Sequence, residues 1–246
     1  MNERKIMLVT GASSEIGLRI VEYYAQKNYE LIAHYNLSDK CLNEIKDKYS
    51  AKNIHLFKAD LSKEEEIYRL NNFINEGFGR VDCFVHLPAP KVLMRRNKDL
   101  KWQNFQNHLD VQVKSAHIIL SEFLPGMAKR KDGNIVFILS SCVFGLPPGA
   151  MTDYVVAKYA LLGYMKCLVK EFSSKSIKIN AISPSMIETK FIENLPEVVR
   201  GLNRENHPLK RLASVEDVFS SLKFLISESS PYLTGSNIPL TGGEVC

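Results

Sequence analysis

From end to end the chain alternates between short apolar runs and longer stretches with apolar residues at helical spacing. The runs KIMLVT, ELIAHY, NIHLFKAD, VDCFVHL, NIVFILS, IKINAIS and SNIPLTG read as strands. Stretches at about 15–28, 38–50, 63–77, 102–128, from the TDYVVAK run to about 174, and 214–227 read as helices between them. Strand–helix alternation predicts right-handed βαβ units and a parallel sheet covered on both faces. The strands are almost continuously apolar, as burial on both faces requires. No repeat or linker divides the sequence. The expected class is α/β, a doubly wound Rossmann fold of about seven parallel strands, forming a single domain over 1–246. Residues 185–210 break the rhythm. Their mixed charge and prolines, over a length beyond an ordinary connection, predict a lid.

Charge and cysteine usage narrow the function classes. The net charge is +5, but Lys and Arg are interspersed with Asp and Glu rather than gathered into a basic stripe, so no nucleic-acid partner is expected. The clusters KVLMRRNK (91–98) and KRK (129–131) read as solvated loops. Cys41, Cys83, Cys142, Cys167 and Cys246 show neither CxxC nor metal-ligand spacing, so no metal is expected, and reduced thiols fit a cytoplasmic protein. The terminal Cys246 is expected to be exposed. The charged start MNERKIMLVTG lacks a signal-peptide core, and no apolar run approaches the ~18 residues of a membrane span, so no membrane association is expected.

The chemistry concentrates in TDYVVAKYALLGYMKCL. Tyr154 and Lys158 stand four apart on a predicted helix, and such residues share a face with Cβ atoms roughly 5–6 Å apart. A nearby ammonium favours the phenolate and is expected to lower the tyrosine pKa toward the working range of an acid–base catalyst. Ser141, thirteen residues before the tyrosine, is placed to hydrogen-bond the same substrate oxygen. Such a set protonates a carbonyl as hydride arrives, or removes the proton in reverse.

The first strand runs into TGASSEIG, a glycine-rich turn that presents the amides of a helix N-terminus to a phosphate. An ordinary βα turn is the bland alternative, and position after the first strand of an alternating chain favours the dinucleotide. Asp60, in KADLS, either contacts an adenine or caps the next helix. Met94, Phe144, Met151, Met186 and Phe191 fall in loops around the predicted cleft and suggest a partly apolar substrate pocket. Lys190, Arg200 and Arg204 in the predicted lid read as solvated charge, with attraction of an anionic carrier as the sharper reading. Trp102 and His86 read as structural residues.

TGASSEIG, KADLS, ILSS, YVVAK and INAISPSMIET, with the C-terminal ASVEDVFSSLKFLISESSPYLTGSNIPLTGG, together resemble the short-chain dehydrogenases/reductases over essentially the whole length. The chain is most similar to the 3-oxoacyl-carrier-protein reductase type. The resemblance implies Tyr154 as general acid/base, Lys158 as its partner and a ligand of the nicotinamide ribose, and Ser141 as the residue orienting the substrate oxygen. Ser140 competes with Ser141, and the family's usual spacing to the tyrosine selects Ser141. Gln112 aligns with the helix asparagine that completes the catalytic group. Gly11, Ser14, Ile16 and Gly17 would surround the pyrophosphate and adenosine side, Asp60 and Leu61 the adenine, and Pro184, Ile187 and Thr189 the nicotinamide end. A homodimer or homotetramer built on the helices at 102–128 and 152–174 is also implied.

The sequence departs from the family pattern at four places. Glu15 replaces the middle glycine of the turn, and its carboxylate is expected to point to solvent as a first-turn acid. His86-Leu87-Pro88-Ala89 replaces NNAG, Gln112 replaces asparagine, and Pro184-Ser185 replaces PG. Where NAD enzymes carry an acid at the end of the second strand, this chain has His34, Tyr35 and Asn36. NADP(H) is therefore favoured over NAD(H), with Asn36, Ser38 or Lys40 meeting the 2′-phosphate. The reading is an NADP(H)-dependent oxidoreductase working on a small or carrier-linked ketone, such as a 3-oxoacyl thioester. The alternative is a catalytically weak relative with a nucleotide-binding or structural role.

Overall fold

The computed structural model describes residues 4–245. Residues 1–3 and Cys246, for which exposure was expected, lie outside the described residues. Seven strands form one parallel sheet: β1 (Lys5–Thr10), β2 (Tyr29–Tyr35), β3 (Ile54–Lys58), β4 (Cys83–His86), β5 (Gly133–Ile138), β6 (Ile177–Pro184) and β7 (Asn237–Leu240), in the order β3-β2-β1-β4-β5-β6-β7. The helices are α1 (Glu15–Tyr24), α2 (Lys40–Lys48), α3 (Glu64–Gly77), α4 (Trp102–Leu109), α5 (Ser115–Arg130), α6 (Thr152–Phe172), α7 (Glu197–Asn206) and α8 (Val215–Lys223). This is the doubly wound arrangement the alternation predicts.

The period-2 geometry of a strand divides each buried run between two cores. In β1, Ile6 and Leu8 pack with Ile67 and Leu70 of α3, Ile119 and Leu120 of α5, and Leu161 and Met165 of α6. Met7 and Val9 face the other way, against Ile20 and Val21 of α1, Leu42 of α2, and Val218 and Phe219 of α8. A third cluster lies beyond the strand ends, where Val92, Cys142, Val143, Tyr154, Val155, Ile192, Leu195 and Leu212 meet. Its burial ties the segment after β6 to the start of α6. Strand order reverses between β1 and β4. A doubly wound sheet opens its ligand crevice at that switch point, beyond the carboxyl ends of the strands.

Three local features differ from the sequence reading. The helix expected over 102–128 is interrupted by a π-helical turn, Asp110–Lys114, centred on Gln112. The helix expected over 15–28 ends at Tyr24, because β2 already begins at Tyr29. Trp102 is 70% exposed and stacks on Phe105 at 5.8 Å, so it is neither a core residue nor a cavity wall.

Candidate active site

A cavity of about 840 Å³ opens at the switch point. One end is built on the glycine turn, the other on α6 and the segment after β6. Gly11, Ser14, Ile16, Asn36, Asp60, Leu61, Ser141, Tyr154, Lys158, Pro184, Ile187 and Thr189 all line it. Gly17 lies beneath it and Gln112 behind it, both buried.

At the catalytic end, Tyr154 and Lys158 share one face of α6, with the Lys158 Nζ 5.6 Å from the centre of the tyrosine ring. Both are nearly fully buried. Lys158 Nζ donates to the Ile138 carbonyl at the end of β5, at 2.7 Å. Burial brings its ammonium down to about 8. The phenol does not follow the expected downward shift. Burial pushes it above its ordinary value. The buried Tyr154 is therefore a protonated acid at neutral pH, the form that donates to a carbonyl oxygen.

Ser140 is one of two serines that line the cavity with that phenol. Its hydroxyl opposes the upward shift of Tyr154, and its Oγ also accepts from the Cys142 N–H at 3.3 Å. β5 ends at Ile138, and the chain then enters a short 3-10 turn, Ser141–Val143, capped by Ser140. Ser141 lines the cavity one residue further along. Both hydroxyls thus stand at the catalytic end, Ser141 at the spacing from the tyrosine that the resemblance selects.

Behind the pair, Gln112 is fully buried on the π turn. Its side-chain amide donates to His108 Nδ1 at 3.2 Å, while its Oε1 makes no protein hydrogen bond. His108 lies 3.8 Å from Asp153 through its Nε2, and its ring sits edge-on to Tyr154 with centroids 6.0 Å apart. Neither His108 nor Asp153 stood out in the sequence. The signal was there in Asp153, an acid directly before the tyrosine.

At the other end two histidines act as buried struts. His86 Nε2–H donates to the Gln112 carbonyl at 2.9 Å, because a carbonyl can only accept. Its bare Nδ1 then accepts from the Thr10 hydroxyl at 2.8 Å. His34 donates through Nε2 to the Ala59 carbonyl at 2.9 Å and accepts the Gly11 N–H through Nδ1 at 3.1 Å. Burial lowers His34 to about 4 and His86 to about 3, so both stay neutral. His86 is structural, as expected, and His34 proves to be so too.

The glycine turn keeps the backbone it needs. Gly11 has φ of +75°, in the left-handed region that favours glycine. A Cβ on Gly17 would lie 2.6 Å from the Gly11 and Ala12 carbonyl oxygens, so α1 packs on the turn only because that residue is glycine. Ser14 caps α1, accepting from the Gly17 N–H at 3.2 Å. Asp60 accepts from the Ser62 amide at 3.0 Å and from its hydroxyl at 2.8 Å, so its carboxylate orders the turn before α3 while lining the cavity. Glu15 does not simply end in solvent as expected. Its carboxylate accepts the Lys190 backbone N–H, a donor too far along the chain for the sequence to suggest.

These residues fit a dinucleotide: a glycine turn and helix N-terminus for phosphates, a polar recess at His34 and Asp60, and a buried acid–ammonium pair at the far end. Among the described residues no group of His, Cys, Asp and Glu could hold a metal ion, and no helix is long and apolar enough to cross a membrane.

Comparison with known proteins bears on the same site. A family model described as enoyl-(acyl carrier protein) reductase matches residues 11–244. The 3-oxoacyl-[acyl-carrier-protein] reductase FabG of Buchnera aphidicola (subsp. Baizongia pistaciae) is 29% identical over 98% of this chain and 97% of its own. The uncharacterized oxidoreductase YmfI of Bacillus subtilis is also 29% identical, over 98% and 99%. Among solved structures, ElxO with NADP bound superposes with a TM-score of 0.85 at 25% identity, covering 98% of both chains. YwfH, described as an NADPH-dependent reductase involved in bacilysin biosynthesis, superposes at 0.87 with 20% identity and the same coverage, a likeness of fold alone.

Fold and site together define a nicotinamide-dependent oxidoreductase acting on C=O and CH–OH groups. Within that class, the chain belongs to the short-chain dehydrogenase/reductase family.

Proposed function

We propose that the protein is an NADPH-dependent ketoreductase that reduces a ketone carried on an apolar chain, with a 3-oxoacyl thioester as the leading substrate. The reading takes the whole chain as one domain and residues 185–210 as its lid. The observation that carries it is the buried Tyr154–Lys158 pair with Ser140 at one end of a cavity shaped for a dinucleotide. The nicotinamide supplies the hydride. Tyr154 donates its proton to the carbonyl oxygen, and Ser140 hydrogen-bonds that same oxygen. Lys158 holds positive charge beside the phenol as it becomes phenolate. Gln112 backs this group with an amide, and Ser141 walls the cavity beside it.

Substrate class follows from the lining. Val92, Met94, Phe144, Met151, Met186 and Phe191 form the wall around the tyrosine. An apolar acyl or alkyl chain gains from burial there, whereas a sugar would leave its hydroxyls facing apolar side chains. The relatives named as 3-oxoacyl-[acyl-carrier-protein] reductases support a carrier-linked substrate. NADPH is preferred over NADH because Asn36, and no carboxylate, lines the cavity just beyond β2. NADP in the ElxO structure supports that preference.

We also propose a homodimer or homotetramer working in the cytoplasm. Val156 and Tyr159 on α6 remain 41% and 42% exposed, leaving an apolar strip beside the catalytic face. Sedimentation equilibrium at micromolar concentration is expected to show no 27.9 kDa species, and a clean monomer contradicts the assembly. For the activity, the test is NADPH fluorescence titration followed by loss of nicotinamide absorbance with 3-oxoacyl thioesters and simple ketones. Saturable binding with turnover is the expected result. Binding without turnover on the whole panel favours a catalytically weak binding protein, a reading that Glu15 in the phosphate cradle keeps in view.

A further inference from the structure

Glu15 is the first residue of α1, and it stands at the mouth of the phosphate cradle. Its two carboxylate oxygens accept the backbone N–H of Lys190 at 3.2 and 3.1 Å. Lys190 opens the 3-10 turn Lys190–Ile192, in the segment that follows β6. The next residue, Phe191, packs on the Tyr154 ring with centroids 6.3 Å apart, and Ile192 is buried in the cluster that contains Tyr154. One carboxylate thus ties the phosphate end of the cavity to the segment covering the catalytic tyrosine. Glu15 and Thr189 both line the cavity, so the tie forms part of its wall.

The position sets up a competition. The N-terminus of α1, with its free amides and positive dipole end, is where a diphosphate is stabilised. A carboxylate seeks the same kind of donor and repels the same anion. Glu15 occupies one donor at that mouth and places a negative charge beside the others. We propose that Glu15 is an anionic latch. In the free protein it holds residues 189–192 against α1, and a diphosphate-bearing dinucleotide displaces it as it enters, coupling cofactor binding to release of the lid from α1. The inference rests on the dinucleotide reading above.

Two variants separate the contact from the charge. Glu15→Gln keeps an acceptor for Lys190 and removes the charge, while Glu15→Ala removes both. Charges of like sign within a few ångströms at a partly solvated site interact strongly enough to change affinity by about tenfold. NADPH titration is therefore expected to give a dissociation constant about tenfold lower in both variants than in the wild type, with the gain shrinking at high salt. Hydrogen exchange on the cofactor-free proteins gives the second readout. The Lys190 amide is expected to be protected in the wild type and to exchange faster in Glu15→Ala, with the strands unaffected. In the wild type, saturating NADPH is expected to speed exchange of that same amide. Wild-type binding that Glu15→Gln leaves unchanged or weakens overturns the latch, as does equal exchange at Lys190 in wild type and Glu15→Ala. No NADPH binding by the wild type or either variant overturns the dinucleotide reading, and the latch with it.

Discussion

At the tyrosine end of the cavity, the groups proposed to do chemistry come from a long helix and the end of a buried strand. Tyr154 and Lys158 sit on a 21-residue helix, and Ser140 stands just past a strand buried along its whole length. At the phosphate end, side chains do work that backbone alone could do. His34 and His86 brace the glycine turn and the tip of β4 from within, and Glu15 reaches across the opening to Lys190. The tyrosine end holds a buried, protonated phenol beside a buried lysine. The cofactor end is braced by polar contacts through His34, His86 and Glu15. The difference teaches that the Tyr–Lys pair of a family can be kept while the side chains around its glycine turn change.

The largest expected effect separates the two ends by acid. His34 and His86 titrate in the folded protein at about 4 and about 3, against an ordinary value of 6.5. Between those limits the unfolded chain binds more protons than the folded one. The contribution of these histidines is therefore fully present above pH ~6.5 and falls away as pH drops toward 4. Burial of both makes the loss on the order of 3 kcal/mol or more by pH ~4.5. Urea unfolding at several pH values checks this, and a midpoint that stays flat from pH 7.5 to 5 breaks the strut account. Protonation there is expected to loosen the glycine turn before it disturbs α6.

A smaller effect sharpens the catalytic end. Ser140→Ala is expected to slow ketone reduction by about a hundredfold to a thousandfold, the usual consequence of removing one donor to a developing oxyanion. Ser141→Ala is expected to change the rate by less than about threefold, since the loss of a wall hydroxyl leaves that oxyanion donor in place. Steady-state rates at saturating NADPH decide between them, and the reverse order returns the role to Ser141.

Much of this was legible in the residues. The apolar runs gave every strand, because a sheet buried on both faces leaves a near-continuous apolar signature. The i, i+4 spacing of Tyr154 and Lys158 placed them on one face before any fold was known. Two things were not legible, each for its own physical reason. The direction of the tyrosine shift depends on burial, which spacing does not reveal. Glu15 looked solvent-facing because its partner lies on the segment after β6.

The central claim is that the tyrosine end performs acid catalysis independently of how tightly the phosphate end holds the cofactor. Tyr154→Phe tests it most directly, because the ring remains to pack against Phe191 and only the hydroxyl is lost. NADPH affinity and turnover on one accepted ketone are measured on the same preparation. The account predicts an affinity within about twofold of wild type and a rate lower by ~10²–10⁴-fold. A variant that keeps near-wild-type turnover, or that loses cofactor binding in step with its rate, contradicts it.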